Sequence, residues 1–103
     1  MVRALVTMAQ LDIPTAGTRV QVSATSTPVS TIIVQGAEGN AGKIFVGDLL
    51  VSSSRGISLD PGEFVSFAAD FVGGSGHEFL LSDFYIDAAT NGDDAKVSYV
   101  KVK

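Results

Sequence analysis

The chain has no cysteine in its 103 residues and only one histidine, His77. Without thiols it has neither a disulfide framework nor a thiolate nucleophile nor a sulfur-ligated metal site. A lone histidine acts as a general base only where a nucleophile and an orienting carboxylate converge on it. Its neighbour Glu78 would point to the opposite side of an extended strand, so we interpret His77 as a loop residue.

Other motifs that carry chemistry are also missing. Residues 73–76 are rich in glycine, but no lysine follows them as in a phosphate-binding loop. The serines at 52–54 lack the Gly-x-Ser-x-Gly pattern of a hydrolase nucleophile. The sequence therefore predicts a protein that is not an enzyme and uses no cofactor.

Basic residues are few: seven Lys and Arg are spread singly through the chain, and the net charge is −4. This arrangement predicts no direct binding to nucleic acid or to anionic membranes. Apolar runs are far shorter than the ~20 residues that span a bilayer, and residues 1–9 do not resemble a signal peptide. We expect a soluble protein made in a cytoplasm.

The sequence is rich in apolar residues and poor in charged ones for a chain of this size. Apolar residues make up 46% of the sequence and charged residues only 17%, against ~25% charged in average soluble domains. A chain of this length forms one domain. Part of its apolar surface is then expected to be covered by partner subunits, so the composition favours a homo-oligomer.

Short stretches of alternating or β-branched residues recur about every ten residues, with no helix of ordinary length between them. Residues 31–35 are apolar on both faces, which is typical of a central strand. Residues 2–11 fit either a weak helical stripe or a strand, and we favour the strand. The pattern predicts an all-β protein, an antiparallel β-sandwich, with strands within 2–11, 18–23, 31–35, 43–46, 49–51, 57–59, 63–68, 79–87 and 95–103.

Three turn signals separate these strands. Pro61 and Gly62 favour a β-turn over residues 60–63, after which the chain should run back antiparallel. Residues 36–42 are expected to form an exposed hairpin loop. Asn91 and Gly92 favour a hairpin turn in which both take positive backbone angles.

Residues 87–94 invite comparison with a calcium-binding loop, because Asp87, Asn91, Asp93 and Asp94 offer oxygen ligands around a glycine. The match is poor, since the third position is Ala89 and the twelfth, where a bidentate acid is needed, is Ser98. The hairpin turn is the favoured interpretation.

The eight aromatic residues could form a stacking platform for carbohydrate. Six of them are phenylalanines, which lack the polar handle that recognition aromatics usually carry. Core packing and subunit contact are the favoured roles. Tyr85 and Tyr99 are the aromatic candidates for surface recognition.

Several motifs together resemble a family of small virion proteins of tailed phages. The resemblance covers about residues 17–99 and lies in the order and spacing of the motifs: Thr18-Arg19-Val20-Gln21-Val22 with Ser26-Thr27-Pro28, Asn40-x-Gly42-x-Ile44-x-Val46-Gly47, Gly56-Ile57-x-Leu59-x-Pro61-Gly62-Glu63, and Leu81-Ser82-Asp83-x-Tyr85-x-Asp87-Ala88-x-Thr90-Asn91-Gly92-Asp93. It implies a head decoration, or cement, protein with a jelly-roll-like sandwich. Such proteins sit as trimers, or sometimes dimers, on the outer capsid surface and clamp the major capsid protein.

We divide the chain into an N-terminal strand or arm, residues 1–16, and a sandwich domain, residues 17–103. Residues 1–13 are a candidate arm that could add a strand to a neighbouring subunit by main-chain pairing. Arg55, Asp60 and Glu63 lie in exposed turns and, with Tyr85 and Tyr99, are the predicted contacts to the capsid or another partner. Two alternatives remain open at this stage. One is a tail or fibre component that binds a host receptor, and the other is a carbohydrate-binding sandwich module.

Overall fold

The computed structural model describes residues 3–68 and 79–102, which form two antiparallel sheets. These ranges contain no α-helix, only one 3-10 turn at Leu81–Asp83. They also contain no helix with the length and hydropathy to cross a membrane. The strands are β1 Arg3–Thr7, β2 Leu11–Ile13, β3 Val20–Gln21, β4 Pro28–Gly36, β5 Ile44–Gly47, β6 Ile57–Leu59, β7 Phe64–Ala68, β8 Phe79–Leu80, β9 Tyr85–Ala88 and β10 Asp93–Val102.

The first sheet is built around the two longest strands and has the order β1-β10-β4-β7. Strand β2 also pairs with β10, and β8 also pairs with β4. Residues 31–35, predicted as a central strand, lie within β4 between β10 and β7. Their β-branched side chains suit a strand that is flanked on both sides.

The second sheet is smaller and has the order β3-β9-β5-β6. Its central strands, β5 and β9, pair from Ile44 opposite Ala88 to Gly47 opposite Tyr85. Strand β3 contains only Val20–Gln21 and is shorter than the predicted strand at 18–23.

The core lies between the two sheets. Ile32, Val34 and Val97 point inward from the first sheet and are almost completely buried. From the second sheet, Ile44 and Ile86 are buried against them in the same cluster. The predicted all-β architecture of two antiparallel sheets in one compact domain is therefore confirmed.

The predicted hairpins are wrong, although the turns themselves are present. Gly62 has φ +86° and the Glu63 amide donates to the Asp60 carbonyl at 2.9 Å. Yet β6 and β7, on either side of this turn, belong to different sheets. The same is true of β4 and β5 around residues 36–42 and of β9 and β10 around Gly92. Turn residues favour a bend in the backbone, but the packing of the two sheets determines which strands pair with each other.

Two further local predictions are corrected. The loop at 36–42 is not wholly exposed, because Gly36 and Ala37 are buried. At the Asn91-Gly92 turn only Gly92 has a positive φ, +82°, since no described residue other than glycine does.

Residues 49–51 do not form the predicted strand. The Val51 amide donates to the Asp48 carbonyl at 3.0 Å, and the Leu50 amide donates to Asp48 Oδ1 at 3.0 Å. An aspartate that binds the backbone two residues ahead stabilises a turn in competition with a strand. Val51 is buried, while Leu49 and Leu50 are exposed.

The N-terminal strand pairs within its own chain in this structure. Residues 3–7 pair with residues 98–102 of β10, and β2 pairs with residues 93–95. The stretch from 3 to 13 is therefore two strands separated by residues 8–10. A role for the N-terminal residues as an arm that pairs with a neighbouring subunit stays a prediction.

Candidate binding surfaces

An apolar cleft of about 470 Å³ opens where the edges of the two sheets meet. Val46 and Ile57 line it from the second sheet, and Phe67 and Phe79 line it from the first. Its volume falls within the ~300–1,000 Å³ range of ligand pockets. The cleft is therefore of a size and lining suited to an apolar group.

Three phenylalanines from separate elements form the aromatic side of the cleft. The Phe67 and Phe79 rings are 6.5 Å apart at 76°, and the Phe79 and Phe84 rings are 5.8 Å apart at 79°. Phe67 and Phe84 are 5.4 Å apart at 51°. Edge-to-face contacts of this kind favour a fixed ring arrangement. The predicted role of phenylalanine in packing applies to these three rings.

Exposed apolar side chains adjoin the cleft along the chain. Leu49 and Leu50, 53% and 56% exposed, directly follow the cleft residue Asp48. Ile57, also exposed, is part of the lining. We call the cleft with Leu49, Leu50 and Ile57 the cleft patch. A protein that exposes clustered apolar groups usually covers them with a partner.

A second exposed surface is the outer side of the first sheet, which we call the open sheet face. Leu5 on edge strand β1 and Phe64 on edge strand β7 are its most exposed large side chains, at 67% and 66%. Ile33 and Val100 lie between these edges and are half-buried. The strand register places the following residues on this face: Leu5, Thr7, Thr31, Ile33, Gln35, Phe64, Ser66, Ala68, Lys96, Ser98 and Val100.

Among the residues of this face from Leu5 onward, only Lys96 is charged, and its ammonium contacts Glu38 at 2.8 Å. Arg3 shares the register of Leu5 at the start of β1. The outer side of the second sheet differs, because Phe45 and Asp87 are buried there. The Gly17 amide donates to Asp87 Oδ1 at 2.9 Å, so the loop before β3 covers part of that sheet.

The five predicted contact residues do not form one surface. Arg55 is exposed, pairs with Ser52 in a tight turn and lines the cleft. Asp60 and Glu63 lie beyond the other end of β6, where Glu63 Oε1 accepts a hydrogen bond from the Asp60 amide at 2.7 Å. Asp60 also contacts the Lys43 ammonium at 2.6 Å, and this hydrogen bond raises the pKa of Lys43.

The two tyrosines belong to different sheets. Tyr85 is half-buried in β9, opposite Gly47 and Gln21. Tyr99 is half-buried in β10 and packs against the core. A surface role for either ring stays a prediction.

The acidic residues at 87–94 bind backbone groups of their own chain. Asp93 accepts hydrogen bonds from the Ala41 and Gly42 amides, both at 3.0 Å. Asp87 accepts from Gly17, as described above, and from the Ala88 amide at 2.7 Å. Within residues 3–68 and 79–102, no group of three or more His, Cys, Asp or Glu side chains is placed to hold a metal ion. The oxygen-rich stretch that resembles a calcium loop thus has a structural use.

One pair of like charges lies directly opposed across the first sheet. Asp12 in β2 faces Asp94 in β10. Desolvation of the Asp94 carboxyl, together with the neighbouring Asp12 charge, raises the pKa of Asp94 above its ordinary value of 3.8. The folded protein therefore binds this proton more tightly than the unfolded chain does. The pair destabilises the fold at neutral pH, and the destabilisation is relieved as the pH falls through the raised pKa.

Replacing Asp12 with asparagine should raise the free energy of unfolding at neutral pH by about 0.5 kcal/mol, because opposed like charges on paired strands destabilise by roughly that amount. The gain over wild type should shrink as the pH falls towards 3.8. Urea unfolding across this pH range measures the difference. Asp83→Asn removes one charge beyond the opposite end of β4 and serves as the control. An equal gain in both variants would mean that net charge, and not this pair, is responsible.

Sequence reasoning missed the cleft patch, although one signal for it was present. Leu49 and Leu50 follow the turn residues Gly47 and Asp48, where exposed polar side chains would be usual. The cleft itself joins residues that are far apart in the chain, and no local pattern announces it.

Two predictions concern residues outside those that the structure describes: the loop role of His77 and of the glycine-rich residues 73–76. Neither a comparison with protein-family models nor one with curated proteins finds a match to the chain.

Proposed function

We propose that the protein is a phage capsid decoration protein that binds the outer surface of the assembled head as a homo-oligomer. The observation that carries the proposal is the presence of two separate apolar surfaces, the cleft patch and the open sheet face. A clamp of this kind needs one surface for its own copies and another for the capsid lattice. The sequence motifs that resemble phage virion proteins support the same function.

The strand order also supports the jelly-roll type of sandwich that the resemblance implies. Pairing is nested along the chain: β5 with β6, β4 with β7, β3 with β9, and β1 with β10. Contacts of β4 with β10 and of β5 with β9 then close the two sheets. A long nested ladder rolled into two sheets is the jelly-roll arrangement, which is common in viral capsid proteins. A fold of this type hosts several functions, so it supports the proposal without carrying it.

We assign the open sheet face to the capsid. Its central and edge strands offer a broad platform, flanked by the exposed Leu5 and Phe64. A decoration protein that binds the assembled lattice and not the free capsid subunit stabilises the shell by mass action. The protein would then be made in the host cytoplasm and act on the outside of the virion.

The test is binding to purified heads that lack the protein, measured by cosedimentation. We expect binding at a fixed ratio to the capsid subunits and a higher temperature for head disruption. Leu5→Lys combined with Phe64→Lys should weaken binding at least about tenfold, because each change places an unpaired charge in a contact that excludes water. Arg55→Ala and Glu63→Ala test the turns predicted from the sequence.

The outcomes separate the alternatives. Loss of head binding in Arg55→Ala or Glu63→Ala, with the double lysine variant unaffected, would place the contact on the predicted turns and overturn the assignment of the sheet face. Recovery of the protein at a few copies on tails would support the receptor-binding alternative. Absence of the protein from both heads and tails would reject a virion role.

A further inference from the structure

Six large hydrophobic side chains of the described residues are exposed, and three of them belong to the cleft patch: Leu49, Leu50 and Ile57. Leu5 and Phe64 flank the open sheet face, and Leu80 is the second residue of β8. The cleft patch is therefore the main apolar surface still to be assigned once the sheet face is given to the capsid.

The leucine pair forms a fixed projection. Asp48 holds the turn through its side chain and its carbonyl, which accept from the Leu50 and Val51 amides at 3.0 Å. Val51, 2% exposed, anchors the turn to the body of the protein. These contacts hold the Leu49 and Leu50 side chains outward, where solvent reaches more than half of each.

The projection and the cleft adjoin each other. Asp48 starts the leucine turn and also lines the cleft, whose far side is formed by phenylalanine rings. In a two-fold dimer each surface element meets its counterpart reciprocally. A projection beside a cleft on one surface suits this symmetry, because each copy can place its leucines in the cleft of the other.

Charge on the rim of the cleft also suits a second copy. Asp48 and Asp83 are acidic, and Arg55 is basic, at the same opening. When two copies meet here, the carboxylates of one copy approach the guanidinium of the other. Opposite charges then face each other across the contact. A small apolar ligand could fill the cleft, but it would leave Leu49 and Leu50 exposed.

We propose that the cleft patch is a self-association surface, in which the Leu49-Leu50 turn of one copy occupies the phenylalanine-lined cleft of a second copy, and vice versa. The inference rests on the homo-oligomer of the proposed function and names its interface. It does not require that the other partner be a capsid. It also specifies a two-fold dimer in place of the trimer that the resemblance favours.

Because the chain has no cysteine, paired cysteine variants test this contact directly. Leu50→Cys and Ile57→Cys are prepared separately, mixed and oxidised. A disulfide needs the two Cα atoms within about 7 Å, so a mixed disulfide forms efficiently only if the turn of one copy reaches the cleft of another. The control mixture replaces Leu50→Cys with Leu5→Cys, which puts a thiol at a position no less exposed, 67% against 56%, on the open sheet face.

Solution mass provides the second measurement. Wild-type protein should sediment at about twice the 10.7 kDa mass of one chain, and Leu49→Ser combined with Leu50→Ser should sediment as a monomer. Both leucines are exposed, so this variant should keep the wild-type circular dichroism spectrum and melting temperature.

Each result decides the question. A wild-type monomer at micromolar concentration, or a trimer without the mixed disulfide, would overturn the inference. Cross-linking that is equally efficient with Leu5→Cys would do the same, since it would report random collision. Head binding is measured separately, so a dimer that fails to bind heads would remove the capsid function and leave this interface in place.

Discussion

Replacing Asp93 with alanine is expected to lower the free energy of unfolding by about 3 kcal/mol, because hydrogen bonds to a buried charge contribute ~1.5–3 kcal/mol each and the donors left behind lose their acceptor. Asp93 is only 6% exposed. Its two carboxylate oxygens accept from the Ala41 and Gly42 amides at 3.0 Å. Urea unfolding monitored by circular dichroism measures the loss.

The effect should be large because Asp93 connects two segments in which the chain passes from one sheet to the other. Residues 37–43 carry the chain from β4 to β5, and residues 89–92 carry it from β9 to β10. Asn40 reinforces the same junction, since its side chain accepts from the Asp94 amide and donates to the Asp94 carbonyl, both at 2.8 Å. Removing the Asp93 carboxylate therefore loosens both crossings.

Two variants control the interpretation. Asp93→Asn keeps one oxygen acceptor and should lose less stability than alanine. Glu63→Ala removes an exposed carboxylate that accepts one backbone amide at 2.7 Å, and its cost should stay below about 1 kcal/mol, as for an ordinary exposed hydrogen bond. A loss of similar size in Asp93→Ala and Glu63→Ala would contradict the role assigned to burial.

The roles of these acids show where sequence reasoning stops. The sequence predicted a turn within residues 87–94, and Gly92 does lie in one, with φ +82°. The Gly17 amide that Asp87 binds lies 70 residues away in the chain, and the Ala41 and Gly42 amides that Asp93 binds lie 52 and 51 residues away. Nothing in the local pattern identifies such partners, because they are set by the way the two sheets come together.

The same limit explains the wrong hairpins. Alternation and β-branching predicted the strands at 31–35, 43–46, 57–59, 63–68 and 95–103, because each must bury one face. A turn signal such as Pro61-Gly62 predicts that the chain bends, but both a hairpin and a crossing to the other sheet satisfy it. The structure uses the crossing at all three predicted sites.

The cleft patch depends on a local turn and also on the way in which the chain crosses between the two sheets. The sequence predicted a strand at 49–51 because three apolar residues follow one another. In the structure Asp48 accepts a hydrogen bond from the Leu50 amide, and the chain forms a turn. The cleft itself combines β5, β6, β7 and β8 with the residues around Phe84. Its existence follows from the crossing topology, which the sequence alone did not supply.

Gly56 contributes both to the packing of the second sheet and to the cleft patch. Its φ is +128°, a conformation that side-chain-bearing residues rarely adopt. A Cβ atom at this position would lie 2.8 Å from the Val46 carbonyl oxygen and 2.8 Å from a methyl carbon of Val51. The carbonyl belongs to strand β5 and cannot move without disturbing the second sheet.

Gly56→Ala is therefore expected to lower the free energy of unfolding by about 3 kcal/mol, since backbone strain and overpacking each cost ~1–3 kcal/mol. Gly39→Ala is the matched control, because a Cβ there meets no atom within 4 Å and its φ is outside the positive region. The control should change stability by less than about 1 kcal/mol. Thermal and urea unfolding of the two variants give the comparison.

The Gly56 variant should also weaken self-association under conditions where it remains folded. Val51 anchors the Leu49-Leu50 turn, and the added methyl group pushes on Val51. Sedimentation at a temperature well below the melting transition should show a larger monomer fraction for Gly56→Ala than for Gly39→Ala. If Gly56→Ala is less stable but associates like the wild type, the leucine turn does not form the dimer contact, because its anchor has been displaced without consequence.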